Sequence, residues 1–384
     1  MMLPSLQFGL TSTDPTLNLI YVLLSILSFV FIIIMMFSGL LLKVQSNQYL
    51  AQIRGVITQL EKWSDEGKNV TIKMIRELGK PEKDPTSLVE NYMEFILIEP
   101  VERDPSGVLK RLEHLLDVRK SRFDDVVTQL APAADRDQQA NIEMTFEAAM
   151  ALRQMFLVIR HLYFMGKETN NFAMIASIQI MLSIIMKYAK AYYTALKAFT
   201  EGQPIGDGAG ALAASILMNE FSKNGNYETS EIAEDISLTN TVFEDRNVLI
   251  VRAIGPGGRI GKPGDAIVTL IKESNGNIAR VIMIDAGAKF EGEKTGKIVE
   301  GVGAAIGGPE VDKFKIEEKV TSQKVPLDAI IIKLSIEEAL TPMSKEIFDG
   351  AYKAAERVKN IILERTKSGD TVIVAGIGNC MGIG

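Results

Sequence analysis

The side chains best placed to do chemistry are two aspartates in glycine-bounded segments. Asp207 stands in Gly206-Asp207-Gly208-Ala209-Gly210, directly before the apolar stretch 211–221, so it lies at or beside a helix start. Asp285 closes the apolar run Val281-Ile282-Met283-Ile284, at the C-terminal end of an expected strand, where ligands bind in open α/β sheets. Two carboxylates within hydrogen-bonding reach cannot both ionise comfortably. One keeps a proton near neutrality, and the couple can serve as acid and base on a peptide bond. Joined by Glu291 or Glu293 from the polar loop that follows, the same aspartates offer a hard, all-oxygen set for magnesium, manganese or calcium. A third reading is structural: Asp207 caps its helix and Asp285 holds loop amides.

Other segments imitate sites. Gly292-Glu293-Lys294-Thr295-Gly296-Lys297-Ile298 is one residue short of a phosphate-binding P-loop, and Ile298 occupies the position of the magnesium-binding hydroxyl. Gly376-Ile377-Gly378-Asn379-Cys380-Met381-Gly382 follows a strand but leaves no helix N-terminus for a pyrophosphate. Cys380 as a nucleophile needs a base, and residues 201–384 contain no histidine. His114 and His161 read as ordinary helix residues. Arg259 and Lys262, in the glycine-rich loop 255–264, either contact an anion or merely ride a solvated turn. No nucleotide, haem or zinc-finger cofactor is expected; a divalent metal with oxygen ligands stays open.

Positioning these residues requires an α/β domain over 201–384. Short β-branched runs cover 248–254, 266–272, 279–284, 329–334 and 371–375, with a hairpin signal at Ser274-Asn275-Gly276-Asn277. A helix over about 343–367, closed by Gly369, followed by the almost wholly apolar strand 371–375, makes a crossover unit and implies a mostly parallel, mixed sheet. Residues 43–200 have a helical period. Asp104-Pro105-Ser106 opens one helix, which Ala131-Pro132 ends, and further helices cover about 136–165 and 168–200. Leu50, Ile53, Ile57 and Leu60 form a short stripe suited to pairing with a second copy, and a homo-oligomer through the helical domain is expected. The charge-free stretch 169–186 reads as a helix buried on most of its surface.

No charge interrupts the chain between Asp14 and Lys43, and 18 of the 26 residues in 17–42 are Leu, Ile, Val or Phe. As a helix this run reaches roughly 39 Å, enough to cross a hydrocarbon core of roughly 30 Å. It lacks the basic flank and short length of a cleaved signal. Lys43, Arg54 and Lys62 follow it and no Lys or Arg precedes it, so residues 1–16 are expected outside, Tyr21 near the outer interface, and 43–384 in the cytoplasm. The lipid bilayer is thus the partner of 17–42. With 42 Lys and Arg against 48 Asp and Glu, the net charge of −6 has the wrong sign for nucleic-acid binding, and one cysteine excludes an intrachain disulfide.

The three glycine segments together resemble the hydrogenase maturation proteases and the spore germination proteases. In those families a strand with a Gly-Ile-Gly-Asn-like turn, a Gly-Asp-Gly-x-Gly-like loop and an Ile-Asp-Ala strand end occur in that order. Here they stand at 376–379, 206–210 and 284–296, as if the first strand had been moved to the C-terminus. The resemblance implies that Asp207 and Asp285 sit together for metal recognition or peptide hydrolysis, although the histidine used by the hydrogenase type has no counterpart in 201–384. As a whole, the chain resembles an archaeal domain-of-unknown-function family of single-span proteins. If the permutation is real, strand 371–375 lies inside the sheet, parallel to the Asp285 strand, and Asn379 approaches Asp207. The expected activity is that of a membrane-anchored peptidase-like hydrolase; the other class is a non-catalytic anchored assembly or binding module.

Overall fold

The computed structural model describes residues 15–98, 107–222, 228–274, 277–308 and 310–384. Asp104-Pro105-Ser106, most of the segment 1–16 and the centre of the 274–277 turn lie outside them. The described residues fall into two compact units. One takes the chain up to Thr58 together with Val158–Ser183, and the other takes Gln59–Leu157 with Ile184–Gly384.

The first unit is built on α1 (Pro15–Met74), a continuous helix whose apolar side chains from Leu19 to Met35 and from Leu40 to Leu42 are exposed. Against it lies the hairpin formed by the end of α4 (Arg136–Thr169) and the start of α5 (Phe172–Glu201). The turn between them uses Asn170 at φ 49° and the Asn171 side chain, which accepts the Met174 N–H at 3.1 Å. Tyr49 stacks on Phe172 at 6.2 Å between ring centroids, and Gln179 donates to Gln52 at 2.6 Å. Among the described residues two helices are long and apolar enough to cross a membrane, α1 and α5. The expectation that 169–186 is buried on most of its surface is corrected here. Ile175, Ile178 and Leu182 form one buried stripe at helical spacing, whereas Ile180 is 74% exposed and Met181 and Ile184 also face outward. The stretch is apolar on both faces, so composition alone overstated its burial. The Leu50–Leu60 stripe is also corrected as a pairing surface: Ile53 and Leu60 are fully buried within the chain itself.

In the second unit, α2 (Thr86–Tyr92) and α3 (Val108–Leu130) join the ends of α1, α4 and α5. Phe123, Val127, Ile142, Phe146 and Ile75 form the centre of this packing, with Tyr92 stacked on Phe123. His114 and His161 are exposed helix residues. After a short turn at Gly206–Gly208 come α6 (Ala209–Phe221), β1 (Thr229–Ala233), β2 (Ile236–Phe243), β3 (Arg246–Ala253), α7 (Pro263–Glu273), β4 (Ile278–Ala288), β5 (Ile298–Val302), α8 (Val311–Gln323), β6 (Leu327–Leu334), α9 (Ile336–Leu340), α10 (Lys345–Arg365) and β7 (Thr371–Gly376). The strand order is β1-β2-β3-β7-β4-β6-β5, with β3, β7, β4 and β6 mutually parallel and β1, β2 and β5 antiparallel to their neighbours. The mixed, mostly parallel sheet matches the expected class. α6 and α10 cover one face; α7 and α8 cover the other.

β7 is the strand that every residue type predicts to be central. Val372, Ile373, Val374 and Ala375 are fully buried, and β7 pairs with β3 on one side and with β4 on the other. The expected strand over 266–272, by contrast, is α7. Ala266, Ile267, Leu270 and Ile271 are buried at a spacing of one, four and five, and Pro263 starts the helix, so the apolar set follows a 3.6 period and not alternation. The 274–277 turn therefore joins a helix to a strand and is no hairpin. β1, β2 and β5 had no apolar run to announce them because each lies toward an edge, partly exposed.

Candidate functional site

Three chain segments meet at the C-terminal ends of β4 and β7. Ile377 N–H donates to Ile284 O at 2.8 Å, which places the turn after β7 beside the end of β4. α6 then approaches both strands so closely that a Cβ at Gly210 would overlap the carbonyl oxygens of Ile284 and Ile377. Gly378 has φ +125°, a region L-residues avoid, and its own Cβ position is occupied by the Asp207 carbonyl. The glycines thus permit a contact that no side chain would leave room for.

In that contact the Asn379 N–H donates to Asp207 Oδ2 at 3.0 Å across a separation of 172 residues. Asn379 is 1% exposed; its Oδ1 accepts the Met381 N–H at 2.8 Å, and its amide nitrogen reaches Met144 Sδ at 3.5 Å. Asp285 is 8% exposed and accepts the Ala286 N–H at 2.7 Å, with the Gly307 N–H as a second donor. Burial, then the neighbouring charge of Asp207, pushes the Asp285 carboxyl up to about 8, against the partial opposition of these amides. Burial also raises Asp207, opposed by the Asn379 N–H. The charge of Asp207 thus reaches Asp285, and both carboxyls are held above the ordinary carboxylate range, chiefly by burial.

The remaining candidates are not drawn into this pair. Glu291 is fully exposed and faces Lys187 at 3.7 Å. Glu293 accepts the Phe290 N–H at 2.8 Å and lies 3.4 Å from Lys333, so it braces its own loop. Among the described residues no three His, Cys, Asp or Glu side chains come together as a metal set. The four-carboxylate metal site is thereby corrected, because the loop carrying the glutamates turns into β5 and away from the aspartates. Arg259 is buried and ion-paired to Asp137 at 2.7 Å and Asp235 at 3.6 Å. Lys262 pairs with Asp117 and Glu234, each at 2.9 Å. These cations are committed to carboxylates, and the loop that carries them receives the C-terminal segment: Cys380 N–H donates to Arg259 O at 3.0 Å and Gly382 N–H to Pro256 O at 2.9 Å. Cys380 is buried with its sulfur 3.0 Å from Ala253 O, and burial raises its thiol.

Two groups escaped the sequence reading. Lys289 Nζ donates to Thr295 Oγ1 at 2.6 Å, and Thr295 donates to Glu338 at 2.7 Å, in a network that ties the loop after β4 to the capping box of α9. Glu143, on α4 between the core residues Ile142 and Phe146, is pushed up to about 7 by burial and by Asp124. No pattern in the sequence marked it, since Gln139 and Glu147 share its helical face. It faces a cavity of about 380 Å³ shared with Lys120, Asp124, Arg259 and Lys262. Larger cavities, of about 800 Å³ beside Val70, Met74 and Tyr193 and about 550 Å³ beside Leu212, Phe348 and Ile383, likewise open away from the aspartates.

No curated protein matches the chain. Residues 27–202 match the family model described as protein of unknown function (DUF1512) N-terminal domain, and residues 205–384 match that described as domain of unknown function (DUF1512) C-terminal. With both models matched in order, the chain belongs to the DUF1512 family.

Proposed function

We propose that this is an archaeal single-span membrane protein with residues 1–16 outside and 43–384 cytoplasmic, whose α/β domain is a peptidase-like hydrolase. The observation that carries the reading is the Asp207–Asp285 couple, assembled from a helix start and a strand end and closed by Asn379 from the far end of the chain. An acid that keeps its proton to about pH 8 beside a second carboxylate is suited to give a proton to a leaving amine while its partner takes one from water. A displaced first strand lying beside β4, with its glycine turn at the Asp207 loop, supports kinship with the maturation and germination proteases in permuted form.

The test is hydrolysis of a mixed peptide library by the purified full chain in detergent or vesicles, compared with Asp207→Asn and Asp285→Asn. Cleavage that both variants retain at the wild-type rate sinks the assignment. One observation favours the second reading, a non-catalytic anchored module. The three cavities described above open elsewhere, and Asp207 is already occupied by a structural amide. A library left intact by the wild type, with both variants folded and merely altered in thermal midpoint, decides for the module.

A further inference from the structure

The sheet ends in two edge strands, β1 and β5, and the two edges are finished differently. In β1 the register shifts between Glu231 and Ala233, and the exposed residues Thr229, Ser230 and Glu231 are polar. Glu231 turns back to the Asp235 N–H at 3.0 Å and to Arg136 at 3.6 Å. A charge and a bulge are the ordinary devices that keep an edge from pairing with another chain. β5 holds one register against β6 through five consecutive pairs, from Ile298↔Ile332 to Val302↔Asp328, with no such irregularity.

The outward groups of β5 follow from its ladder. Lys333 N–H donates to Lys297 O at 2.8 Å and Gly303 N–H to Leu327 O at 3.2 Å, so residues 297, 299, 301 and 303 turn their backbone groups toward β6. The N–H and C=O of Ile298, Glu300 and Val302 consequently point outward, and among the described residues no backbone group meets them. Val302 is 90% exposed, and a Cβ on Gly301 or Gly303 would meet nothing within 4 Å. Such an edge is a template for strand addition.

The residues of β5 specify which strand fits. Laid antiparallel on a copy of itself with Glu300 opposite Glu300, the strand matches large to small. Ile298, which packs on the core beneath α6 and α10, meets the partner's Val302 on that face. On the other face Val299 meets the partner's Gly301, where the glycine leaves open space. The like charges at the centre are already answered, because Glu300 turns to Arg357 at 2.8 Å and to Arg365, both on α10. Lys297 comes opposite the partner's Gly303, beside a groove that holds one charge of each sign, Glu317 and Lys324, so no like-charge pair forms at the ends. β1 of a second copy is the poorer mate: its register is broken, and a head-to-tail joint of β1 to β5 is heterologous and does not close on itself as a pair.

We propose that β5 is the interface between two copies of this chain, joined antiparallel about a twofold axis at Glu300 so that one sheet runs through both. Residue 300 pairs with itself and 298 with 302, each pair exchanging both N–H···O bonds. The inference draws on neither the aspartate couple nor the reading of 17–42 as a span, so it stands or falls alone.

The experiment uses the full chain in detergent. Light scattering on the eluting protein should give twice the chain mass. Val302→Pro deletes an N–H that points away from β6, so it spares the native ladder and should weaken self-association by about tenfold or more. A monomeric wild type overturns the proposal, and so does a dimer that folded Val302→Pro leaves intact. If Val302→Pro does not fold, cross-linking decides. Ile298→Cys and Val302→Cys chains, prepared separately and mixed under mild oxidation, should form a disulfide-linked dimer, because the two positions face each other at about 5.5 Å between Cα atoms. Val302→Cys alone should not, since its copies lie about 14 Å apart. A mixture that links no better than either variant alone overturns the register and the interface with it.

Discussion

Two glycine-rich loops of the α/β domain carry charged residues, and they use them in opposite ways. In the loop 255–264, Arg259 and Lys262 each meet carboxylates at 2.7–3.6 Å, and the paired charges cancel. In the segments 206–210 and 284–287, Asp207 and Asp285 have amide donors but no cation among their described partners. Glycine serves both loops by close approach: Gly255 lies against Ile383, and Gly210 against β4 and β7. The difference lies in the partners. Charges of opposite sign make a structural joint, whereas buried charges of one sign raise a carboxyl above its ordinary range, which is what the proposed hydrolysis draws on.

The contrast is broken most severely by cutting the joint. Arg259→Met takes the arginine from Asp137, which is 43% exposed, while Asp235 keeps Arg136 at 2.6 Å and Lys120 at 3.3 Å, so the loss is that of the buried guanidinium's own charge-assisted bonds and packing, about 1–3 kcal/mol. A fall of several degrees in the thermal midpoint of the detergent-solubilised chain is expected, with any hydrolytic rate per folded molecule unchanged. An unshifted midpoint shows that the joint contributes nothing.

At the other loop the effect falls on rate. Asp285→Asn should lower peptide hydrolysis about a hundredfold or more, because one acid of a couple that works as a unit is gone. Its midpoint should not fall, since the amide keeps the volume and is neutral without having to take up a proton on folding. A variant that loses stability and keeps its rate reverses the roles assigned to the two loops.

Most of the scaffold behind this contrast was legible because it rests on unmixed patterns. The run Val372 to Ala375 has no polar residue, which only a strand covered on both faces tolerates, and the stripe Ile347, Ala351, Ala354, Val358, Ile361 of α10 has one period. α7 was misread because the seven residues from Ala266 to Lys272 mix β-branched types with helical spacing, and composition was given more weight than period. The approach of Asn379 to Asp207 was legible only through the order of three glycine motifs, since no local pattern reports a contact over 172 residues. Nothing in the sequence announced that Arg259 would meet Asp137 and Asp235, since each comes from a different element and the pairing appears only when α4, the β1–β2 turn and the loop are assembled.

A third test reads the retained proton directly. Asp285 has its carboxyl raised from 3.8 to about 8, so between these values the folded chain holds a proton that the unfolded chain has released. Stability from this group is then present at low pH and declines as pH rises, by about 1.4 kcal/mol per pH unit at most. The thermal midpoint of the wild type should drop between pH 5 and 8 relative to Asp285→Asn, whose curve lacks this fall. Parallel curves for the two proteins contradict a proton held in the pair.

The smallest effect sharpens the boundary between the loops. Lys262 pairs with Asp117 and Glu234 as Arg259 pairs with Asp137 and Asp235, yet its side chain is 29% exposed where that of Arg259 is 7%. Water and salt reach the lysine, so its pairs gain modest Coulomb energy and its partners are rehydrated once it is removed. Lys262→Met should cost about 1 kcal/mol or less, and raising the salt concentration should shrink the gap between wild type and variant. If Lys262→Met instead matches Arg259→Met in severity, and salt leaves both unchanged, exposure does not grade these joints. The loop would then owe its order to the C-terminal segment packed upon it, through the bonds from Cys380 and Gly382 to the carbonyls of Arg259 and Pro256.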